Sequence, residues 1–240
     1  MRKILIKNNL AEVSEAAAGL FVAMAIESIA MRGEFSVALA GGSTPRALYS
    51  LLASEKYRHK VQWPKLRFFF GDERNVPPDA SESNYRMANE TLLAPLGIPS
   101  KTVHRWKTEL NPHEAASEYE REMQANGPVD LVLLGLGPDA HTASLFPHTP
   151  ALNEHEKLAV ENWVEKLNTY RLTMTFEAIN AARDVMFLVA GKDKADAVAG
   201  VLEGSSRPED LPAQGVKPVN GNLFWLLDTD AASRLSKKTR

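Results

Sequence analysis

Short apolar runs and longer amphipathic stretches alternate along this chain from end to end. The runs at 3–7 (KILIK), 35–40 (FSVALA), 66–72 (LRFFFGD), 129–135 (VDLVLLG), 184–191 (DVMFLVAG) and 222–228 (NLFWLLD) end in polar or turn residues and predict strands. Further strands are predicted at 100–106 (SKTVHRW), 157–163 (KLAVENW) and 170–175 (YRLTMT). Helical spacing predicts helices over 10–32, 45–52, 82–93, 112–125, 176–182 and 192–202. Strands that are apolar throughout are buried on both faces, as in a parallel sheet covered by helices. The expected fold class is therefore α/β: one domain over residues 1–240, a doubly wound, mainly parallel sheet with helices on both faces (Rossmann-like). No linker rich in Gly, Ser or Pro divides the chain, no internal repeat is visible, and residues 205–218 read as a surface loop before the last strand.

Composition narrows the chemistry. An apolar fraction of 44% with 24% charged residues is ordinary for a globular domain of 240 residues. A formal net charge of -2 gives nothing that would draw the protein to nucleic acid or to an anionic membrane, so neither is an expected partner. Any anionic ligand must be held by a few local cations and backbone N–H groups. The absence of cysteine removes disulfides, thiolate catalysis and sulfur-ligated metals. The apolar run 16–26 is flanked by Glu15 and Glu27 and falls short of the roughly 20 residues a bilayer span needs. The start lacks the apolar core of a signal peptide, and a cytoplasmic location is expected.

In open parallel sheets ligands bind beyond the carboxyl ends of the strands, so the polar residues that follow each strand carry the functional information. Four such loops begin with glycine. In AGGSTPRALYSLL, Ser43 or Thr44 can cap a helix with Pro45 at its first position. That start is either a well-capped helix and nothing more, or an anion site built from Gly41, Gly42, Ser43 and Thr44, most naturally for phosphate. In FFFGDERNVP, Asp72, Glu73 and Arg74 follow three phenylalanines and stand at the mouth of a cleft. They form a structural ion pair, or Arg74 stabilises a developing oxyanion while Asp72 orients a polar substrate. Ser81 or Ser83 offers a cap to the next helix. In AGKDKADAV, Lys194 near a helix start suits a phosphate better than it suits the dipole, and YRLTMT adds Arg171.

The loop GLGPDAHTASLFPHTP carries Gly135-x-Gly137-x-x-Ala140, a fair match to a dinucleotide fingerprint, with Glu161 at about the distance of a ribose-binding acid. Pro147 and Pro150 leave too little chain for a crossover helix, which normally needs about ten residues or more, and Pro138 removes an N–H that would face a pyrophosphate. The match reads as chance, and no cofactor is expected. Asp139 and His141 remain, on a tight turn at a strand end, where histidine suits general-base work near neutral pH. A metal site from His141, His148 and His155 does not fit their spacing across a proline-rich loop, and Ser144 lacks a nucleophile elbow. A capped glycine loop, two spare cations and a His/Asp/Arg group on adjacent strand ends together describe a phosphorylated-substrate site with acid–base chemistry.

The motifs GGSTP, GDERNVPPDASESNYRM and GLGPDAHTASLFP, in this order and spacing, resemble the 6-phosphogluconolactonase family, over nearly the whole chain and including RLTMT and GKDKADAV. The related glucosamine-6-phosphate isomerase/deaminases carry an Asp-Glu-Tyr turn where this chain has Asp72-Glu73-Arg74. They also carry an essential glutamate after the loop histidine, where this chain has TASLFP. The resemblance implies hydrolysis of 6-phospho-D-glucono-1,5-lactone to 6-phosphogluconate in the oxidative pentose phosphate pathway, without metal or covalent intermediate. It implies His141 as general base steered by Asp139, Arg74 at the oxyanion, Asp72 on the sugar, and Gly41–Thr44, Arg171 and Lys194, rather than Lys192, on the phosphate. An aminosugar-phosphate isomerase/deaminase or a non-catalytic sugar-phosphate sensor is the alternative. Lactonases usually carry Gly before the loop histidine; Ala140 stands there, and if the position needs positive φ, alanine costs on the order of 1 kcal/mol.

Overall fold

The computed structural model describes residues 1–239. In chain order its elements are β1 (Arg2–Lys7), α1 (Leu10–Arg32), β2 (Phe35–Leu39), α2 (Ser43–Leu52), β3 (Leu66–Phe70), β4 (Asp72–Arg74), α3 (Asn84–Ala88), α4 (Pro112–Asn126), β5 (Leu131–Leu134), β6 (Ala159–Val164), β7 (Thr169–Met174), α5 (Phe176–Asn180), β8 (Asp184–Val189), α6 (Ala195–Glu203) and β9 (Asn222–Asp228). Six strands form one sheet in the order β1-β9-β8-β5-β2-β3, and every pair in it is parallel. Each residue of β2 and β5 is buried, as strands covered on both faces must be. The chain leaves β2 toward β3 on one side, and it leaves β5 toward β8 on the other. The sheet therefore has a topological switch point between β2 and β5, where a crevice opens beyond the strand ends.

Helix α1 shows how local signals and packing agree. Asn9 caps it by accepting from Glu12 N at 3.0 Å, and Gly33 ends it at φ 86. Val13, Ala17, Phe21 and Ala25, spaced four apart, are fully buried. The Phe21 ring packs edge-on to Phe35, with centroids 5.4 Å apart, and stacks on Trp63. The helix is long and apolar enough to cross a bilayer, but here that apolar face covers the sheet.

Three segments depart from the sequence pattern. The run 66–72 is not one strand: it breaks at Gly71, and β4 leaves to join β7 and β6 in a separate antiparallel sheet of order β4-β7-β6. Gly71 stitches the two sheets, its N–H donating to Leu39 O at 2.9 Å and its carbonyl accepting from Met174 N at 2.8 Å. The run 100–106 forms no strand; Val103 makes one bridge to Phe68, and Trp106 turns inward so that its Nε1, not a backbone N–H, donates to Phe70 O at 3.0 Å. Residues 205–218 are more than a surface loop, because Ala213 and Val216 are buried and Gln214 bridges the carbonyls of Gly200 and Ser205.

Candidate active site

The residues expected at the site from the sequence all line one cleft of about 540 Å³ at the switch point. Buried hydroxyls square off the strand ends beneath it. Tyr49 both accepts from Ala40 N and donates to Ala40 O, at 2.8 and 2.9 Å, where β2 stops. Tyr119 does the same for Phe70 at the end of β3, at 2.7 and 3.0 Å. Burial pushes both phenols well above their ordinary range, so they stay neutral hydrogen-bonding groups. The backbone can then leave the sheet abruptly without orphaned polar groups.

On one side of the cleft, α2 starts without a side-chain cap. The sequence places Ser43 or Thr44 at the cap and Pro45 first in the helix; instead Gly42 is the cap, at φ 105 and ψ 170, and Ser43 and Thr44 are already inside the first turn. Only glycine enters that conformation freely. The correction strengthens the anion-site reading, since the first N–H groups of the helix keep no intrahelical acceptor and no capping oxygen takes them. Gly41 is tied to a second constraint: a Cβ there would lie 1.9 Å from Asn84 Oδ1. Lys194 lines the cleft beside this helix start, its Nζ held 3.1 Å from Asp193, while Lys192 is exposed and outside it.

On the other side, the loop after β5 carries the titratable pair. His141 Nδ1 lies 2.5 Å from Asp139 Oδ1, which fixes the tautomer with Nδ1 protonated and leaves Nε2 without a protein partner. Burial pushes the Asp139 carboxyl up, but hydrogen bonds from His141 and Lys166 outweigh it and hold the group well below the usual carboxylate range. The imidazole stacks on Phe146 with centroids 4.1 Å apart. Gly137 is required for this geometry, because a Cβ on it would fall 2.0 Å from His141 Nδ1 and 2.7 Å from Asp139 Oδ1. No helix opens after Gly137; turns run on to a single 3-10 turn at Pro150–Asn153, which removes the dinucleotide reading. His148 and His155 pair with Asp210 and Glu177 outside the cleft.

Ala140 does adopt positive φ, at 60°. Its methyl is fully buried, and its N–H and carbonyl are bonded to Gly137 O and Ala213 N at 2.9 and 3.0 Å. Burying one methyl is worth about 0.8 kcal/mol, comparable with the backbone strain. Alanine is thus compatible with the loop.

The small antiparallel sheet supplies the remaining charges. Arg74 and Arg171 are direct cross-strand partners in the β4–β7 register. Like charges placed so close repel, and burial and then Arg74 lower the Arg171 guanidinium from its ordinary value. Arg171 Nε is buried with no partner, and Arg74 Nη1 donates to the Glu82 carbonyl. Two cations facing a cleft with donors to spare are an arrangement that an anion relieves. Asp72 is buried, with Oδ2 accepting from Ser144 Oγ at 2.7 Å and Oδ1 from Asn84 Nδ2 at 3.1 Å. Both its oxygens are engaged by the protein, so it braces the β5 loop against α3.

Sequence reasoning missed Asn84 and Lys166, took Glu73 only as part of an ion pair and weighed Ser144 only as a nucleophile. Glu73 points away from the cleft and accepts from the N–H groups of Arg74, Asn84 and Tyr85 at 2.7–2.8 Å and from Ser83 Oγ at 3.1 Å. Burial pushes its carboxyl up against those bonds. It anchors the segment that Ser83 then caps into α3. Asn84 and Ser144 link the loops through Asp72. Lys166, at the turn between β6 and β7, contacts Asp139 Oδ2. The buried acidic residue inside DER was the one available signal; nothing local marks Lys166.

The model of the family described as glucosamine-6-phosphate isomerases/6-phosphogluconolactonase matches residues 8–225. The chain belongs to that family. Among its relatives is a 6-phosphogluconolactonase from Nostoc sp., 41% identical over 218 residues that cover 87% of this chain and 88% of the relative. A 6-phosphogluconolactonase from Synechocystis sp. matches to the same extent. In three dimensions the chain is similar to the 6-phosphogluconolactonase from Trypanosoma brucei, with a TM-score of 0.87 and 31% identity over 98% of this chain and 99% of that one.

Proposed function

We propose that this protein is a lactonase that hydrolyses 6-phospho-D-glucono-1,5-lactone to 6-phosphogluconate in the oxidative pentose phosphate pathway, acting in the cytoplasm. The observation that carries the reading is the Asp139–His141 pair, with Nε2 unpartnered, in a cleft whose other walls are cations and a helix start. The phosphate is held by the N–H groups of Gly41–Thr44, by Arg171 and by Lys194. His141 Nε2 takes a proton from water as its oxygen attacks C1. Asp139 stabilises the imidazolium that forms, and Arg74 the oxyanion. Collapse of the tetrahedral intermediate breaks the bond from C1 to the ring oxygen, and the imidazolium returns its proton to that leaving oxygen. A lactone carbonyl is already electrophilic, so the step calls for neither a metal nor a covalent intermediate. The aminosugar-phosphate alternative has less support, because the tyrosine and the glutamate it relies on are replaced here.

The test is the decay of freshly generated 6-phosphogluconolactone with and without the protein, in buffer containing EDTA. Decay well above the spontaneous rate is expected. Decay at the background rate contradicts the assignment.

A further inference from the structure

The β6–β7 hairpin turns through Glu165–Leu167, and Asn168 closes it at φ 48. Lys166 at that tip reaches across the cleft mouth and touches two things. Its ammonium contacts Asp139 Oδ2, the oxygen that His141 does not use. It also lies 4.6 Å from the centroid of the Phe146 ring, the ring on which His141 stacks. One side chain therefore engages both the carboxylate and the aromatic neighbour of the base. The Lys166 side chain is 52% exposed and that of Asp139 29%. A pair so open to water adds little to stability. Its effect on orientation is larger, because it leaves neither carboxylate oxygen free to swing away from the imidazole.

We propose that Lys166 is a positioning residue for the base: it holds the Asp139 carboxylate against His141 Nδ1, so that Nε2 is the nitrogen left for water. This rests on the lactonase reading, with His141 as base. The charge of Lys166 acts in the same place. The cleft also presents Asp72, Arg74, Arg171 and Lys194 toward His141, and these stay unchanged when Lys166 is replaced.

The test compares wild type with Lys166→Met and Lys166→Arg in steady-state kinetics across pH. A nitrogen-15 NMR spectrum of the His141 imidazole, which reports its tautomer, runs alongside and needs no activity. For Lys166→Met, kcat is expected to fall about tenfold with KM nearly unchanged, and the imidazole nitrogen shifts to show loss of the single Nδ1-protonated tautomer. Lys166→Arg should restore most of both. A rise in KM with kcat and the tautomer unmoved would make Lys166 a substrate contact and overturn the proposal. So would a variant indistinguishable from wild type. If wild type leaves the lactone untouched, the lactonase reading fails on its own and the imidazole nitrogen shifts decide: loss of the Nδ1-protonated tautomer in Lys166→Met upholds positioning, and an unchanged tautomer overturns it.

Discussion

The two sheets contribute to the cleft in different ways. The parallel sheet offers loops whose backbone matters most: Gly42 at the start of α2, and Gly137 under the imidazole. The three-stranded antiparallel sheet offers side chains instead, with Arg74 and Arg171 opposite each other and Asp72 beside them. Strands buried on both faces have no room for charge within their length, so their chemistry collects at their ends. A short sheet with one face on the cleft can carry charge along its strands. The helix start at Gly42 and the His141–Asp139 pair therefore depend on loop geometry, and the cation wall depends on strand register.

Substitutions can break each half separately. The largest loss of stability is expected on the antiparallel side at Glu73. Glu73→Ala leaves three backbone N–H groups and the Ser83 hydroxyl without their acceptor. A loss on the order of 3 kcal/mol is expected, seen as a lower urea midpoint, with Arg74 displaced in consequence. An unchanged midpoint would show that this anchor is dispensable. On the parallel side, Gly137→Ala pushes aside His141 and Asp139 side-chain atoms while leaving the strands alone. A fall of about 100-fold in kcat with near-normal Tm is expected, the usual consequence of misplacing a catalytic group by an ångström.

Smaller effects sharpen the division of labour. Arg171→Ala removes the charged donor proposed for the phosphate and relieves the repulsion with Arg74. KM should rise about 10- to 100-fold, in keeping with a charged hydrogen bond, with kcat much less affected. A dominant loss in kcat would move Arg171 to the reacting end of the substrate. Ala140→Gly is the mildest. The strain it relieves is offset by the buried methyl it deletes and by added freedom in the unfolded chain, so calorimetry should find stability within about 0.5 kcal/mol of wild type. Activity should be unchanged; a large gain would mean that the alanine distorts the loop.

The same contrast explains what was legible in the sequence. Most of the parallel strands announce themselves as apolar runs, four of them leading into a glycine, and the loops after those four carry most of the residues that line the cleft. Pairing in the small sheet could not be read, because its strands are three and six residues long and mix charged with apolar positions. Its cross-strand contact of Arg74 with Arg171 joins positions nearly a hundred apart in the chain. The cap of α2 was misplaced since Ser and Thr are good caps by propensity, and only the conformation of Gly42 shows that the helix begins at Ser43, two residues before Pro45. Lys166 and Asn84 act through residues distant in sequence, and a local pattern carries no trace of that.

The central claim is that His141 activates water without holding the substrate. The direct test is His141→Asn, with kcat measured on the lactone and affinity for 6-phosphogluconate measured by calorimetry. General-base catalysis predicts a fall in kcat of about 10²- to 10⁴-fold with product affinity within a few fold of wild type. Loss of product binding in proportion to kcat, or a kcat that survives the substitution, would contradict it.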